Sequence, residues 1–201
     1  MPIECRFFHG ESTAIRLVGP LGIGARGHIL RETASQEVRG MSFQPKRISR
    51  SATITVNAPL NEAFALFGPV REKDWAEGWD PELIDPTSEI VQERMVFTTQ
   101  SHFGQEEPDD VWIVSTYSLG DSFIEYTVFA HERVHWIEVV CEATADGEKT
   151  RAEIAYTFLG LTDRGNSLNK EALELIFEHD LRDWEEAINH FLATGERKHV
   201  H

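Results

Sequence analysis

The sequence predicts an α+β domain, a curved antiparallel sheet wrapped around a long C-terminal helix. Two observations carry that class. Five strand-like runs lie between residues 95 and 161 with short turn-forming stretches between them, the spacing of an antiparallel meander. From 167 to 193, Leu173, Phe177, Leu181, Trp184, Ile188 and Phe191 fall, at 100° per residue, in a stripe about 80° wide, the apolar face of a helix lying on a sheet. The 201 residues suffice for one ordinary domain with a tail. With 41% hydrophobic, 10% aromatic and 26% charged residues, disordered, collagenous and disulfide-stapled classes are excluded.

The first 50 residues differ from the rest. They hold eight Lys and Arg against four acids, a net charge of +4, which leaves 11 against 30, or −19, for the remainder. Such a step marks a boundary. Residues 1–49 are therefore expected to be a poorly structured N-terminal extension, 50–196 the folded domain and 197–201 a tail. Met41 is a possible downstream start. Within the extension Gly22-Ile23-Gly24-Ala25-Arg26-Gly27 fits GxGxxG, but Pro20 interrupts the lead-in strand and Lys46 and Arg47 stand where the ribose-binding acid belongs. A glycine-rich linker is the reading.

Residues 51–56 alternate β-formers, and Pro59 opens a short helix over 60–67 that Gly68-Pro69 ends. A loop with Trp75 and Trp79 follows, either a rim on an interior space or core packing against the short helix. Strands are expected over 95–103, 111–118, 123–130, 134–143 and 151–161. Leu119-Gly120-Asp121-Ser122 and Ala145-Asp146-Gly147-Glu148 make the hairpin turns. In the last strand Ala152, Ile154, Tyr156 and Phe158 share one parity, and charged or small residues share the other. One face is buried and one is wet. The same test turns inward Ile137, Val139, Cys141 and Ala143, then Ile124, Tyr126 and Val128, and, in a more ambiguous strand, Trp112, Val114 and Thr116. The turn Asp163-Arg164-Gly165-Asn166 precedes the long helix, which packs on that inner face.

The net charge of −15 speaks against nucleic acid and anionic lipid as partners. The longest apolar run, 63–67, has five residues, far below the roughly 18 of a membrane span. The stretch 17–25 imitates a signal peptide but is broken by Gly19, Pro20, Gly22 and Gly24. A cytoplasmic protein is expected. Cys5 and Cys141 match no disulfide framework or zinc spacing and read as free thiols.

As a set, Ile54-x-Val56-x-Ala58-Pro59-x-x-Glu62-Ala63-Phe64-x-Leu66-Phe67, Trp75-x-x-Gly78-Trp79-Asp80-Pro81, Trp112-Ile113-Val114, Leu161-Thr162-Asp163-x-Gly165-Asn166 and Trp184-Glu185-x-Ala187-Ile188-Asn189 resemble the SRPBCC or START-like superfamily, of polyketide cyclase/dehydrase-like type, over about residues 50–195. The resemblance implies the helix-grip fold and a mostly apolar cavity between the sheet and the C-terminal helix, holding a small hydrophobic molecule. The inward residues Trp112, Val114, Tyr126, Val128, Val139, Ile154, Tyr156 and Phe158, with Phe177, Asp180, Leu181 and Trp184 from the helix, would then line it. No cofactor is expected.

Asp180 lies within the helical apolar stripe, between Phe177 and Trp184. A carboxylate there either accepts a hydrogen bond from a Trp or Tyr, lies at a wet mouth, or meets the cavity and serves as proton donor or acceptor. Tyr126 and Tyr156 either donate to a ligand carbonyl or pack as core. The pairs His179/Asp183 and His131/His135 have metal-site spacing, yet the first sits on the polar helix face and four strand residues separate the second by about 13 Å, so solvated faces and no metal are expected. No GxSxG elbow or plausible Cys-His pair appears. The functional readings are hydrophobic-ligand binding, then a polyketide cyclase or aromatase-like enzyme using Asp180 and the tyrosines, then an interaction module of chaperone-activator type.

Overall fold

The computed structural model describes residues 43–101 and 108–198. Most of the expected extension, with Met41 and the GxGxxG stretch, lies outside the described residues. So do Cys5 and 102–107.

The strands β1 (Arg47–Val56), β2 (Glu82–Asp85), β3 (Val96–Thr99), β4 (Asp110–Ser118), β5 (Phe123–Ala130), β6 (Arg133–Ala143) and β7 (Thr150–Gly160) form one curved antiparallel sheet of order β1-β7-β6-β5-β4-β3-β2. Between β1 and β2 come helix α1 (Leu60–Ala65) and a 3-10 turn (Arg71–Asp74), and the chain ends in α2 (Asp163–Ile176) and α3 (Arg182–Thr194). The architecture is the expected α+β helix-grip arrangement. Among the described residues no helix is long and apolar enough to cross a membrane.

β1 begins at Arg47, inside the segment expected to be unstructured. The register explains the earlier start: Arg47 to Arg50 pair with Leu159 to Tyr156, the Arg47 guanidinium lies 4.6 Å over the Trp136 ring, and the Ser49 and Thr157 hydroxyls are 2.9 Å apart. β2 carries no alternation and gave no strand signal. At the other end of the domain, Arg197 donates to the Lys73 carbonyl and Lys198 pairs with Glu186, so the first two residues of the expected tail are held.

The inner face follows the expected parity, with two exceptions. A bulge between Val114 and Thr116 shifts the β4 register, so Tyr117, not Thr116, turns inward and stacks on Phe64 at 5.7 Å. Ala143, at the end of β6, is exposed.

The single long helix is replaced by two. α2 starts at Asp163, earlier than expected, because Thr162 caps it, its hydroxyl accepting from Gly165 N–H at 3.0 Å. The helix stops at Ile176, and Asp180 and Leu181 adopt left-handed backbone with φ of 50° and 58°. That conformation costs roughly 1 kcal/mol or more for Leu, offset by full burial of the Leu181 side chain, about 1.5–3 kcal/mol. A continuous helix would press the Asp180 carboxylate into the apolar interface; the break turns it outward.

α3 lies along the free edge of β1. Glu185 accepts from Thr55 N–H and Asn189 from Asn57 N–H, both at 2.7 Å, while the Asn189 amide donates to Thr55 C=O at 2.9 Å. Helix side chains thus stand in for a missing neighbouring strand.

The start of α2 meets the sheet backbone to backbone. A Cβ on Gly165 would sit 2.1 Å from the Glu132 carbonyl oxygen, whereas one on Gly120 would meet nothing within 4 Å. Gly165→Ala is therefore expected to cost at least about 2 kcal/mol by overpacking, and Gly120→Ala under about 0.5 kcal/mol, as read from urea-unfolding midpoints.

Candidate functional site

Because side chains alternate along each strand, the inner face is a set of rows running across the sheet. One row reads Phe97, Trp112, Val128, His135 and Phe158, and the next Val114, Tyr126, Ile137 and Tyr156. Beyond them lie Ile124, Val139 and Ile154. Phe177, Leu181 and Ile188 close the interior from the helical side, with Trp184 half-buried among them. The residues expected to line a cavity are therefore together in one interior, Asp180 excepted.

The rings form a connected wall. Phe97 stacks on Trp112 at 5.5 Å, Trp112 meets His135 edge-on at 6.0 Å, and His135 stacks on Phe158 at 4.7 Å. Tyr156 continues it to Phe177 at 5.8 Å and Trp184 at 6.5 Å, and Trp184 reaches Trp75 at 5.3 Å. Most polar handles of the wall are bonded within the protein. Tyr126 donates to Phe67 C=O at 2.7 Å, Trp112 to Thr99 Oγ1 at 2.9 Å, Trp75 to Leu66 C=O and Trp79 to Pro69 C=O. Tyr126 is thus committed to the backbone, and burial raises its phenol well above the ordinary range. Trp75 is core.

Asp180 is not in this interior. Its side chain is 67% exposed and pairs with Arg50 at 2.8 Å, whose guanidinium lies 5.1 Å over the Phe177 ring. The helical wheel placed it inward on the premise of one uninterrupted helix. Of the histidines, His179 and His131 are exposed as expected, but His135 is buried between Trp112 and Phe158. Its parity with Ile137 and Val139 carried that signal. No group of three or more His, Cys, Asp or Glu stands together as a metal site among the described residues. Cys141 is buried, and burial pushes its thiol up to about 12, which leaves it a poor nucleophile.

Sequence reasoning passed over a polar row at one end of the wall. Thr99 of β3 pairs with Asp110 of β4, and Arg133 of β6 pairs with Gly160 of β7. Asp110 shares the parity of Trp112, and Arg133 that of His135, so both charged residues point inward. Asp110 has 0% and Arg133 4% exposure. The Arg133 guanidinium lies 5.2 Å over the Phe158 ring. On α2, Asn169 lies one turn beyond Gly165 and is 1% exposed. Four residues before Leu173, it lies about 40° beyond the edge of the apolar stripe.

Neither carboxylate oxygen of Asp110 nor either amide atom of Asn169 has a hydrogen-bond partner among the described residues. Buried groups of this kind cost about 1–3 kcal/mol each if left unmade. Burial pushes the Asp110 carboxyl up to about 6, with Arg133 pulling it down and Asp109 pushing it further up. Burial likewise brings Arg133 down to about 10, opposed by Asp110. A second acid, Glu72 of the 3-10 turn, is half-buried. Burial raises its carboxyl well above the usual range, and it acts electrostatically on Tyr126.

No family model matches the sequence, and no curated protein does. Solved structures do. Norcoclaurine synthase from Thalictrum flavum is similar with a TM-score of 0.53 at 11% identity, covering 85% of this chain and 99% of that one. The same enzyme in complex with dopamine and hydroxybenzaldehyde gives 0.50 at 12%, over 90% and 100%. The Zhui aromatase/cyclase from Streptomyces sp. R1128 gives 0.50 at 16%, over 73% and 93%. These likenesses show that the chain shares the helix-grip fold of those proteins.

The raised Asp110 carboxyl makes the folded state hold its proton more tightly than the unfolded chain does. Stability is thus full below about pH 3.8 and falls as pH rises through about 6, by up to about 3 kcal/mol. Asp110→Asn, which cannot ionise, is expected to match the wild type at pH 4 and exceed it by about 1–3 kcal/mol at pH 7, measured by urea unfolding across that range.

Proposed function

We propose that this protein binds a small, mainly apolar molecule between the inner face of the sheet and the C-terminal helical segment. The observation that carries the reading is the continuous aromatic wall on the inner face, beside which the buried Asp110 carboxylate has no hydrogen-bond partner among the described residues. An apolar chamber with a few placed polar groups is the ordinary form of a small-molecule site. Trp112, Val128, His135 and Phe158 supply one wall, and Phe177, Leu181 and Trp184 the other. The similar synthase solved with dopamine and hydroxybenzaldehyde supports small aromatic compounds as the class to try first.

A second reading, acid–base catalysis on such a ligand, rests on Asp110, whose carboxyl burial pushes up to about 6, and on Glu72, which burial also raises. In this reading Asp110 replaces Asp180 as the proton-transfer group. Asp110→Asn should then abolish turnover of a poly-β-ketone substrate, with Asp180→Asn retaining it in a steady-state assay.

For binding itself, titration with the neutral dye N-phenyl-1-naphthylamine should give saturable blue-shifted emission and quench the tryptophans of the wall. Native mass spectrometry of protein recovered from its own host should show one small-molecule adduct. A protein that takes up no apolar dye and carries no adduct would refute the reading.

A further inference from the structure

We propose that the outer face of the sheet is a docking surface for a basic, amphipathic segment of a partner protein. This surface lies on the side of the sheet opposite the interior, and neither reading of the interior bears on it.

The alternation that turns Val128, His135 and Phe158 inward turns their strand neighbours outward. At one end of β4 to β7 those neighbours are apolar. The register places Val111, Phe129, Val134 and Leu159 side by side in one row across the four strands, and Ile113 and Trp136 belong to the next row. Val111 is 37% and Phe129 49% exposed, and the other four are half-buried. The Arg47 guanidinium, 4.6 Å over the Trp136 ring, borders the patch on the β1 side. Contiguous outward apolar residues with aromatic anchors have the make-up of an interface core, not of a solvated sheet face.

Charge decides what covers it. The next row sets Glu125 of β5 directly opposite Glu138 of β6, about 7 Å along the strands from Trp136 and about 13 Å from Phe129. Like charges directly opposite destabilise a strand pair. Further along the same face Glu142 and Glu153 share Arg151, at 3.7 and 3.9 Å, whereas neither Glu125 nor Glu138 has an ion pair among the described residues. A cation placed between those two carboxylates relieves the repulsion. A second copy of the chain brings the same acids, and a net charge of −15 opposes self-association. The same charge repels nucleic acid and anionic lipid. The complementary partner is a peptide segment whose apolar side chains seat on Phe129 and Trp136 and whose Lys or Arg, about 7 to 13 Å further on, reaches Glu125 and Glu138.

The test compares three synthetic peptides on the full-length protein by tryptophan fluorescence and calorimetry. One is an amphipathic helix of leucine and lysine, one its counterpart of leucine and glutamate, and one a serine–lysine peptide with the charge of the first. The leucine–lysine peptide is expected to bind at least about tenfold tighter than either of the others. Phe129→Ser should weaken it about tenfold. Glu125→Gln combined with Glu138→Gln should weaken it at least about threefold and flatten its salt dependence. Leu175→Ser and Glu171→Gln make the same changes at exposed positions of α2 and should leave affinity within about twofold. If Phe129→Ser does not fold, Val111→Ser carries the same test. No binding by the leucine–lysine peptide, equal binding by the serine–lysine peptide, or affinity unchanged in the outer-face variants overturns the proposal. So does a dimer in sedimentation velocity that Phe129→Ser dissociates, which would make a second copy the occupant.

Discussion

The backbone contact between Gly165 and the Glu132 carbonyl fixes where the C-terminal helices lie, and the rest of the molecule is arranged around it. At that point four segments converge. Leu161 N–H donates to Glu132 C=O at 2.8 Å, Gly160 N–H to Lys46 C=O at 3.2 Å, and Asn166 joins the strand entrance by accepting from Lys46 N–H and donating to Gln44 C=O. Arg164 adds an ion pair with Glu132 at 3.0 Å. A side chain at 160 or 165 would push α2 off the sheet, because the nearest atoms are backbone or held tightly by it. With the helix start pinned there, Asn169 and Leu173, one and two turns on, must face the inner rows, and the helix axis is committed to crossing the concave surface.

Two kinds of polar group then share the interior. The indole and phenol groups of Trp75, Trp79, Trp112 and Tyr126 act as bolts, each spending its donor on a neighbouring carbonyl or hydroxyl. Bonded in this way they stiffen the wall and offer nothing to a guest. Asp110 and Asn169 are the reverse case, desolvated by folding and left with capacity. The difference follows from geometry: Trp75, Trp79 and Tyr126 lie within reach of the carbonyls of Leu66, Pro69 and Phe67 just after α1, and Trp112 within reach of the Thr99 hydroxyl, whereas Asp110 and Asn169 have no hydrogen-bond partner among the described residues. A folded state that tolerates such groups does so at some loss of stability, the usual condition of a functional pocket.

The break between α2 and α3 resolves a conflict written into the chain. Phe177 and Leu181 are both wanted inside, and Asp180 between them is not. Two left-handed residues let the chain bury the first two and hand the carboxylate to Arg50, which itself covers the edge of the Phe177 ring. The turn also redirects α3 onto the open edge of β1, where Glu185 and Asn189 reach the backbone of Thr55 and Asn57. One local departure from regular helix thus serves both the interior and the sheet edge.

Strand parity and turn chemistry determined most of the fold without any coordinates, because the period of two in a half-buried strand is a local property. Ile154, Tyr156 and Phe158 pointed inward in sequence for the same reason that they do in the folded protein. The helical stripe was equally legible in composition but misleading in continuity, since a short turn that returns the chain in phase leaves the spacing of Phe177, Leu181 and Trp184 unchanged. Asp110, Arg133 and His135 obeyed the same parity rule, but a charged residue at the start of a strand is by default assigned to solvent. Only the tertiary structure decided that these positions are buried, for burial depends on which distant segments cover a strand end, and that is not a local property of the strand.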